Sequence, residues 1–205
     1  MLRSGGEYQP EHVRWLHRQV PPRYDVVCLS DCDIKDTETV GLRSCWPGWF
    51  AKLELFDPEL IEDDILYMDL DTVICGDISE LTEQPDLMAL NDFYFPRYAA
   101  TGIMYIPHRQ KACVWEKIIS HRHNIQRFRG DGEFLRTICH FKRWQDIYPG
   151  YFVSYKAHIA GRGMPGYHSS RSEGNGSIPP TAKVISFHGN PRPWKLTLPW
   201  IPPFP

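Results

Sequence analysis

The chain has 205 residues and a formal net charge of -2, with charges of both signs interspersed. That length predicts a single domain with enough material for a sizeable core, and the balanced charge excludes an electrostatic footprint for nucleic acid or a polybasic face for a membrane. No apolar stretch approaches the ~18 to 20 residues needed to cross a bilayer, and the start "MLRSGGEYQPEH" lacks a signal-peptide core, which predicts a cytoplasmic protein without a transmembrane segment.

In chain order, "EHVRWLHRQV" (11 to 20) sets Val13, Leu16 and Val20 at helical spacing ahead of Pro21-Pro22, and "RYDVVCLS" reads as a strand. "WFAKLELF" (49 to 56) fits a short helix closed by Asp57-Pro58. "DDILYMDLD" is a continuous apolar run of strand length, the pattern of a strand covered on both faces. "DLMAL" (86 to 90) and "TGIMYIP" (101 to 107) are further strands. "RQKACVWEKIISHRH" (109 to 123) and "DGEFLRTICHF" (131 to 141) carry apolar residues at three- and four-residue steps and read as helices. Short strands follow at 151 to 155 and in "AKVISF" (182 to 187).

Alternating strands and helices predict an α/β domain over 1–205, with a mixed, mostly parallel central sheet flanked by helices. A flexible loop is expected at 160–181, dense in Gly, Ser and Pro, and a Pro-rich C-terminal arm at 196–205. The six cysteines, 28, 32, 45, 75, 113 and 139, form no CxxC pair, so they are expected to be reduced core residues.

The chemistry gathers at "ILYMDLDTVICGDI" (65 to 78). Asp69 and Asp71 stand one residue apart at the end of a buried strand, on the same side of extended chain, where ligands collect at the edge of α/β sheets. Such carboxylates repel unless a cation or a turn stabilises them, and a hard ion such as Mg²⁺ or Mn²⁺ with substrate phosphates would serve. Capping of a turn is the bland alternative. "ISFHGNPRPWK" repeats the design at the far end of the chain: His188 can ligate a metal, Gly189 lets backbone approach a phosphate, and Arg192 offers a planar fork.

Together "WFAKLELF", "ILYMDLDTVICGDISEL", "AATGIMYIP" and "FHGNPRPW" resemble the nucleotide-sugar glycosyltransferases of the Rossmann-like GT-A fold, most closely the glycogenin-like and lipopolysaccharide galactosyltransferase-like enzymes of glycosyltransferase family 8. The resemblance implies a metal held by Asp69, Asp71 and His188, and donor binding by Tyr8, Gly5, Lys52, Asp69, Asp92, Gly189, Arg192 and Trp194. Asp131 and Lys52 would lie beside the reacting sugar. It also implies a UDP-type donor, Mn²⁺ or Mg²⁺, retention at the anomeric carbon, and a glycan, lipid or protein acceptor. Lys52 could instead be a solvated helix residue, Tyr8 a packing aromatic and Asp131 a helix N-cap.

Three departures stand out. Gly132 replaces the family's Gln, the loop between His188 and its basic residue is about two residues shorter, and only Met1 and Leu2 stand where the family has a complete first strand. Either that strand is very short or the start is truncated. A sugar nucleotidyltransferase and a non-catalytic nucleotide-sugar or glycan-binding protein are the competing readings.

Overall fold

The computed structural model describes residues 1–161 and 174–205. Most of the loop expected at 160–181 therefore lies outside the described residues. The chain forms α1 (Pro10–His17), β1 (Val27–Ser30), β2 (Glu38–Gly41), a 3-10 helix (Gly48–Phe56), β3 (Ile65–Met68), β4 (Thr72–Ile74), β5 (Met88–Asn91) and β6 (Ala99–Ile106). There follow α2 (His108–Ser120), α3 (Asp131–Ile138), β7 (Lys142–Arg143), α4 (Trp144–Ile147), β8 (Phe152–Ser154) and β9 (Val184–Ser186).

Helices flank open sheets, as the alternation of elements predicts. The central sheet has the order β3-β6-β5-β7, with β1-β2 and β4-β9-β8 beside it. Parallel and antiparallel pairing share the fold more evenly than expected. β1/β2, β5/β7 and β8/β9 run parallel, whereas β3/β6, β5/β6 and β4/β9 run antiparallel. The cause is connection length: the short link Asp92–Tyr98 can join β5 to β6 only as a hairpin, because a parallel return needs a crossover of a dozen or more residues. Leu2 makes an isolated parallel bridge to Ser30 and donates its N–H to Leu29 O at 2.8 Å. A cavity of about 420 Å³ lies between β1 and β3, lined among others by Val27, Leu29, Leu66 and Met68.

On one face of the central sheet Tyr67 and Met104 cluster with Leu53 and Phe56 of the 3-10 helix, Val114 of α2 and Phe134 of α3. Ile78, Met88, Tyr105, Trp144 and Phe152 form a second cluster. Lys111, on α2, is fully buried and donates to Ile61 O at 2.6 Å and Asp63 O at 2.7 Å, fixing the approach to β3.

The C-terminal arm packs against the body of the protein. Trp15 Nε1 donates to Pro202 O at 2.9 Å, and Trp200, Ile201 and Phe204 join Trp15, Ile185 and Phe187 in a further cluster. Deleting residues 199–205 is expected to lower unfolding stability by about 2 to 4 kcal/mol, the scale of removing one large buried apolar side chain, read from the urea midpoint. A midpoint unchanged by the deletion would contradict this packing.

The cysteines are all free, but only Cys28 is buried, with Cys32 and Cys139 half-buried. Cys45, Cys75 and Cys113 are exposed, which corrects the expectation of core residues. β4 ends at Ile74, so Cys75 lies just beyond the strand. No helix among the described residues is long and apolar enough to cross a membrane.

Candidate active site

β3 ends at Met68 and β4 begins at Thr72, so Asp69 to Asp71 form the turn between them. The Asp69 N–H donates to Gly102 O at 2.7 Å, and the Phe187 N–H donates to Asp71 O at 3.1 Å. The pair is thus clamped from both sides by β6 and by the chain leaving β9. Gly102 permits the approach: a Cβ there would lie 3.2 Å from Asp69 Oδ2.

Each aspartate faces its own cluster. Asp69 Oδ1 accepts from Tyr67 OH at 2.6 Å and pairs with Lys52 Nζ at 2.9 Å. Lys52 Nζ lies 3.3 Å from Asp131 Oδ2, which also accepts from Thr101 Oγ1 at 2.7 Å. Burial opposes the charge on Lys52, but the two carboxylates outweigh it and hold its pKa above the ordinary lysine value. The sequence places Lys52 on a short helix; the structure makes it a 3-10 helix whose buried ammonium joins Asp69 to Asp131.

Asp71 lies in the second cluster. Its Oδ2 accepts from Tyr8 OH at 3.0 Å and is paired with Arg192 Nη1. Burial, and then repulsion by Asp69, push the Asp71 carboxyl up to about 7 despite Arg192. Arg192 holds Glu7 as a fork, Nε to Oε1 at 2.8 Å and Nη2 to Oε2 at 2.7 Å, and lies 5.0 Å over the Tyr8 ring. Trp194 meets Tyr8 edge-on at 5.8 Å and His12 at 4.1 Å. Gly5 and Gly189 adopt φ of 81° and 78°, the left-handed region that glycine enters without strain.

His188 follows Phe187, so the backbone brings it next to the pair, but its imidazole turns away. Nε2 lies 2.7 Å from Ser154 Oγ, and the ring stacks on Phe93 with centroids 5.6 Å apart. Among the described residues no group of three or more His, Cys, Asp or Glu stands close enough to hold a metal. The structure therefore gathers Asp69 and Asp71 without His188. Burial, aided by Lys156, lowers the His188 imidazole to about 4. Nitrogen-detected NMR is expected to show this ring neutral through pH 5 and titrating near 4; a midpoint near the ordinary 6.5 would contradict the placement.

Asp92 has a structural task, because its Oδ1 accepts from the N–H groups of Tyr94 at 2.8 Å and Phe95 at 2.9 Å and so closes the β5–β6 turn. Asp131 begins α3 but turns its carboxylate to Lys52 and Thr101 instead of capping the helix. At Gly132 a Cβ would come 3.1 Å from Thr101 Oγ1, so Thr101 fills space beside the position where the family carries Gln.

Four contributors were not foreseen. Tyr67 precedes Asp69 by two residues and so shares its side of the extended chain, a signal the sequence does carry. Thr101 stands at the start of "TGIMYIP" without a polar pattern to mark it. Glu7 finds Arg192 across 185 positions, beyond any local signal. Lys156, in a π turn after β8, is half-buried with no salt-bridge partner among the described residues; its Nζ would lie 3.5 Å from a Cβ on Gly189. Burial, and then the Arg192 charge, lower its pKa, with Asp71 opposing them.

The structure is similar to that of the glycosyltransferase GlyE of Streptococcus pneumoniae TIGR4, with a TM-score of 0.64 and 16% identity over 96% of this chain and 55% of that one. The chain has the fold of a glycosyltransferase. An active-site mutant of LgtC aligns with a TM-score of 0.57 and 12% identity, over 90% of this chain and 85% of that one. The bifunctional glycosyltransferase WbbM aligns with a TM-score of 0.61 and 15% identity, over 90% of this chain and 44% of that one. This chain spans about half the length of GlyE. No protein-family model and no curated protein sequence matches it.

Within that glycosyltransferase fold, Asp69 and Asp71 supply hard oxygen donors whose mutual repulsion a cation would relieve. Two carboxylates fit a Mg²⁺ or Mn²⁺ ion that shares its remaining positions with water and substrate phosphate. They do not make an all-protein cage.

Proposed function

We propose that the chain is a glycosyltransferase that moves a sugar from a nucleoside diphosphate, of the UDP type, to an acceptor hydroxyl. The observation that carries this reading is the division of labour at the turn after β3. Asp71 faces an aromatic and cationic cluster of Tyr8, Arg192 and Trp194, suited to a base and a diphosphate, while Asp69 faces the buried Lys52–Asp131 pair, suited to a sugar. Support comes also from a fold shared with GlyE, LgtC and WbbM.

In this reading the bond from the anomeric carbon to the diphosphate oxygen breaks and a bond to the acceptor oxygen forms, the acceptor proton leaving with the diphosphate. A divalent ion bound to Asp69 and Asp71 would supply Lewis-acid stabilisation of the leaving charge. Arg192 and Lys156 offer fixed positive charge to the same phosphates, and Gly189 leaves room for them. Lys52 orients Asp69 and Asp131 around the sugar, and Tyr67 and Thr101 hold those carboxylates in place. Retention at the anomeric carbon follows only from the family resemblance, and Gly132 provides no amide beside that carbon.

The experiment is release of nucleoside diphosphate from a panel of UDP- and GDP-sugars with Mn²⁺ or Mg²⁺. The expected result is release from at least one UDP-sugar, abolished by chelation. Release from none, with none raising the melting temperature through binding, would overturn the reading.

A further inference from the structure

The 3-10 helix Gly48–Phe56 carries a stripe that runs from solvent into the core. Side chains three residues apart eclipse one another in 3-10 geometry, so Trp49, Lys52 and Leu55 share one face. Trp49 is 69% exposed, Lys52 6% and Leu55 4%. Lys52, the middle member, meets Asp69 and Asp131. Trp49 therefore stands one turn further out, at the mouth of that cluster.

A second contact fixes the position. A Cβ on Gly130 would lie 3.5 Å from Trp49 Cε3, which sets the indole against the residue immediately before Asp131. Trp49 is thus tied to both halves of the Lys52–Asp131 pair.

Its exposure also distinguishes it. Tyr98, the other widely exposed aromatic among the described residues, is 41% exposed and lies under the guanidinium groups of Arg97 and Arg136. No ring or cation covers Trp49 among the described residues. Pro47 and Gly48 beside it are exposed as well. An indole offers a broad apolar face and one N–H at its edge. A pyranose offers the complement, an apolar C–H face rimmed by hydroxyls.

Resting on the glycosyltransferase reading above, we propose that Trp49 is the acceptor platform, and that the acceptor is a saccharide whose terminal pyranose stacks on the indole with a hydroxyl directed towards Asp131.

The test compares wild type with Trp49→Ala and Trp49→Tyr, using a responsive UDP-sugar as donor and a panel of pyranosides and disaccharides as acceptors. Trp49→Ala is expected to raise the acceptor KM about tenfold or more, the scale of one lost aromatic contact, with the donor KM moving less than about twofold. Trp49→Tyr, which keeps a ring, recovers most of the loss. An unchanged acceptor KM, a parallel rise in donor KM, or transfer to non-carbohydrate acceptors alone would overturn the platform. If wild type uses no donor, the proposed function fails by itself, and the platform is then read by saturation-transfer NMR with the same saccharides. Contact with wild type that disappears in Trp49→Ala upholds it, and no contact with wild type overturns it.

Discussion

Replacing Lys52 with methionine is expected to lower unfolding stability by about 3 to 5 kcal/mol, the cost of removing one partner from a buried ion pair. Methionine keeps the apolar stem among core residues but leaves Asp69 and Asp131 facing each other without the ammonium that stands 2.9 and 3.3 Å from them. Only the hydroxyls of Tyr67 and Thr101 then remain to satisfy the two carboxylates. Sugar transfer is expected to fall by about two to three orders of magnitude, the usual effect of losing a preorganised charge contact. Adding Asp131→Asn removes one stranded charge, so the double variant should be more stable than the sum of the single changes predicts, by about 1 to 3 kcal/mol. Urea unfolding of the four proteins gives both free energies, and a transfer assay gives the rate. A loss below about 1 kcal/mol for Lys52→Met would mean that the ammonium is not the buried bridge described here.

Arg192 carries the second large effect. Its fork holds Glu7 through two hydrogen bonds, and its remaining amine holds Asp71, while the guanidinium lies over Tyr8. One side chain therefore ties the N-terminal Gly-rich turn to the aspartate pair. Arg192→Met is expected to weaken binding of a UDP-type nucleotide about 10- to 100-fold and to speed amide exchange across residues 3 to 9. Arg192→Lys should do almost as badly, because an ammonium cannot reproduce a planar fork shared by two carboxylates. Normal exchange in that segment with Arg192→Lys would show that charge alone suffices.

Much of the fold can be read from local pattern. "ILYM" and "IMYI" are continuous apolar runs because helices and strands cover both faces of the central sheet, and β3 and β6 form where those runs lie. β2 escapes notice because Glu38–Gly41 is half-exposed or exposed throughout, so neither alternation nor a continuous apolar run marks it. β7 consists of Lys142 and Arg143 alone, which no period can reveal. The antiparallel share of the sheet was hidden for a different reason. It depends on the length of the Asp92–Tyr98 link, which Asp92 shapes by capping the turn.

The site follows the same division. Asp69, Asp71 and Lys52 are polar residues interrupting apolar runs, so their cost in a core advertises a task, and Lys52 joins Asp69 to Asp131 from the polar stretch "RGDGEF". His188 is also a strand-end polar residue, but its ring orientation depends on Ser154 and Phe93, far away in sequence. Side-chain direction of that kind is set by tertiary neighbours and leaves no trace in spacing. Lys156 belongs with it, since its relevance arises only from standing near Gly189 and Arg192.

The most direct test of the account is calorimetric binding of UDP with and without Mn²⁺ to wild type and Asp71→Asn. The account predicts that Mn²⁺ tightens UDP binding to wild type by about tenfold or more, and that Asp71→Asn, one carboxylate short, loses most of that gain. Equal tightening in both proteins would contradict a metal held between Asp69, Asp71 and the diphosphate.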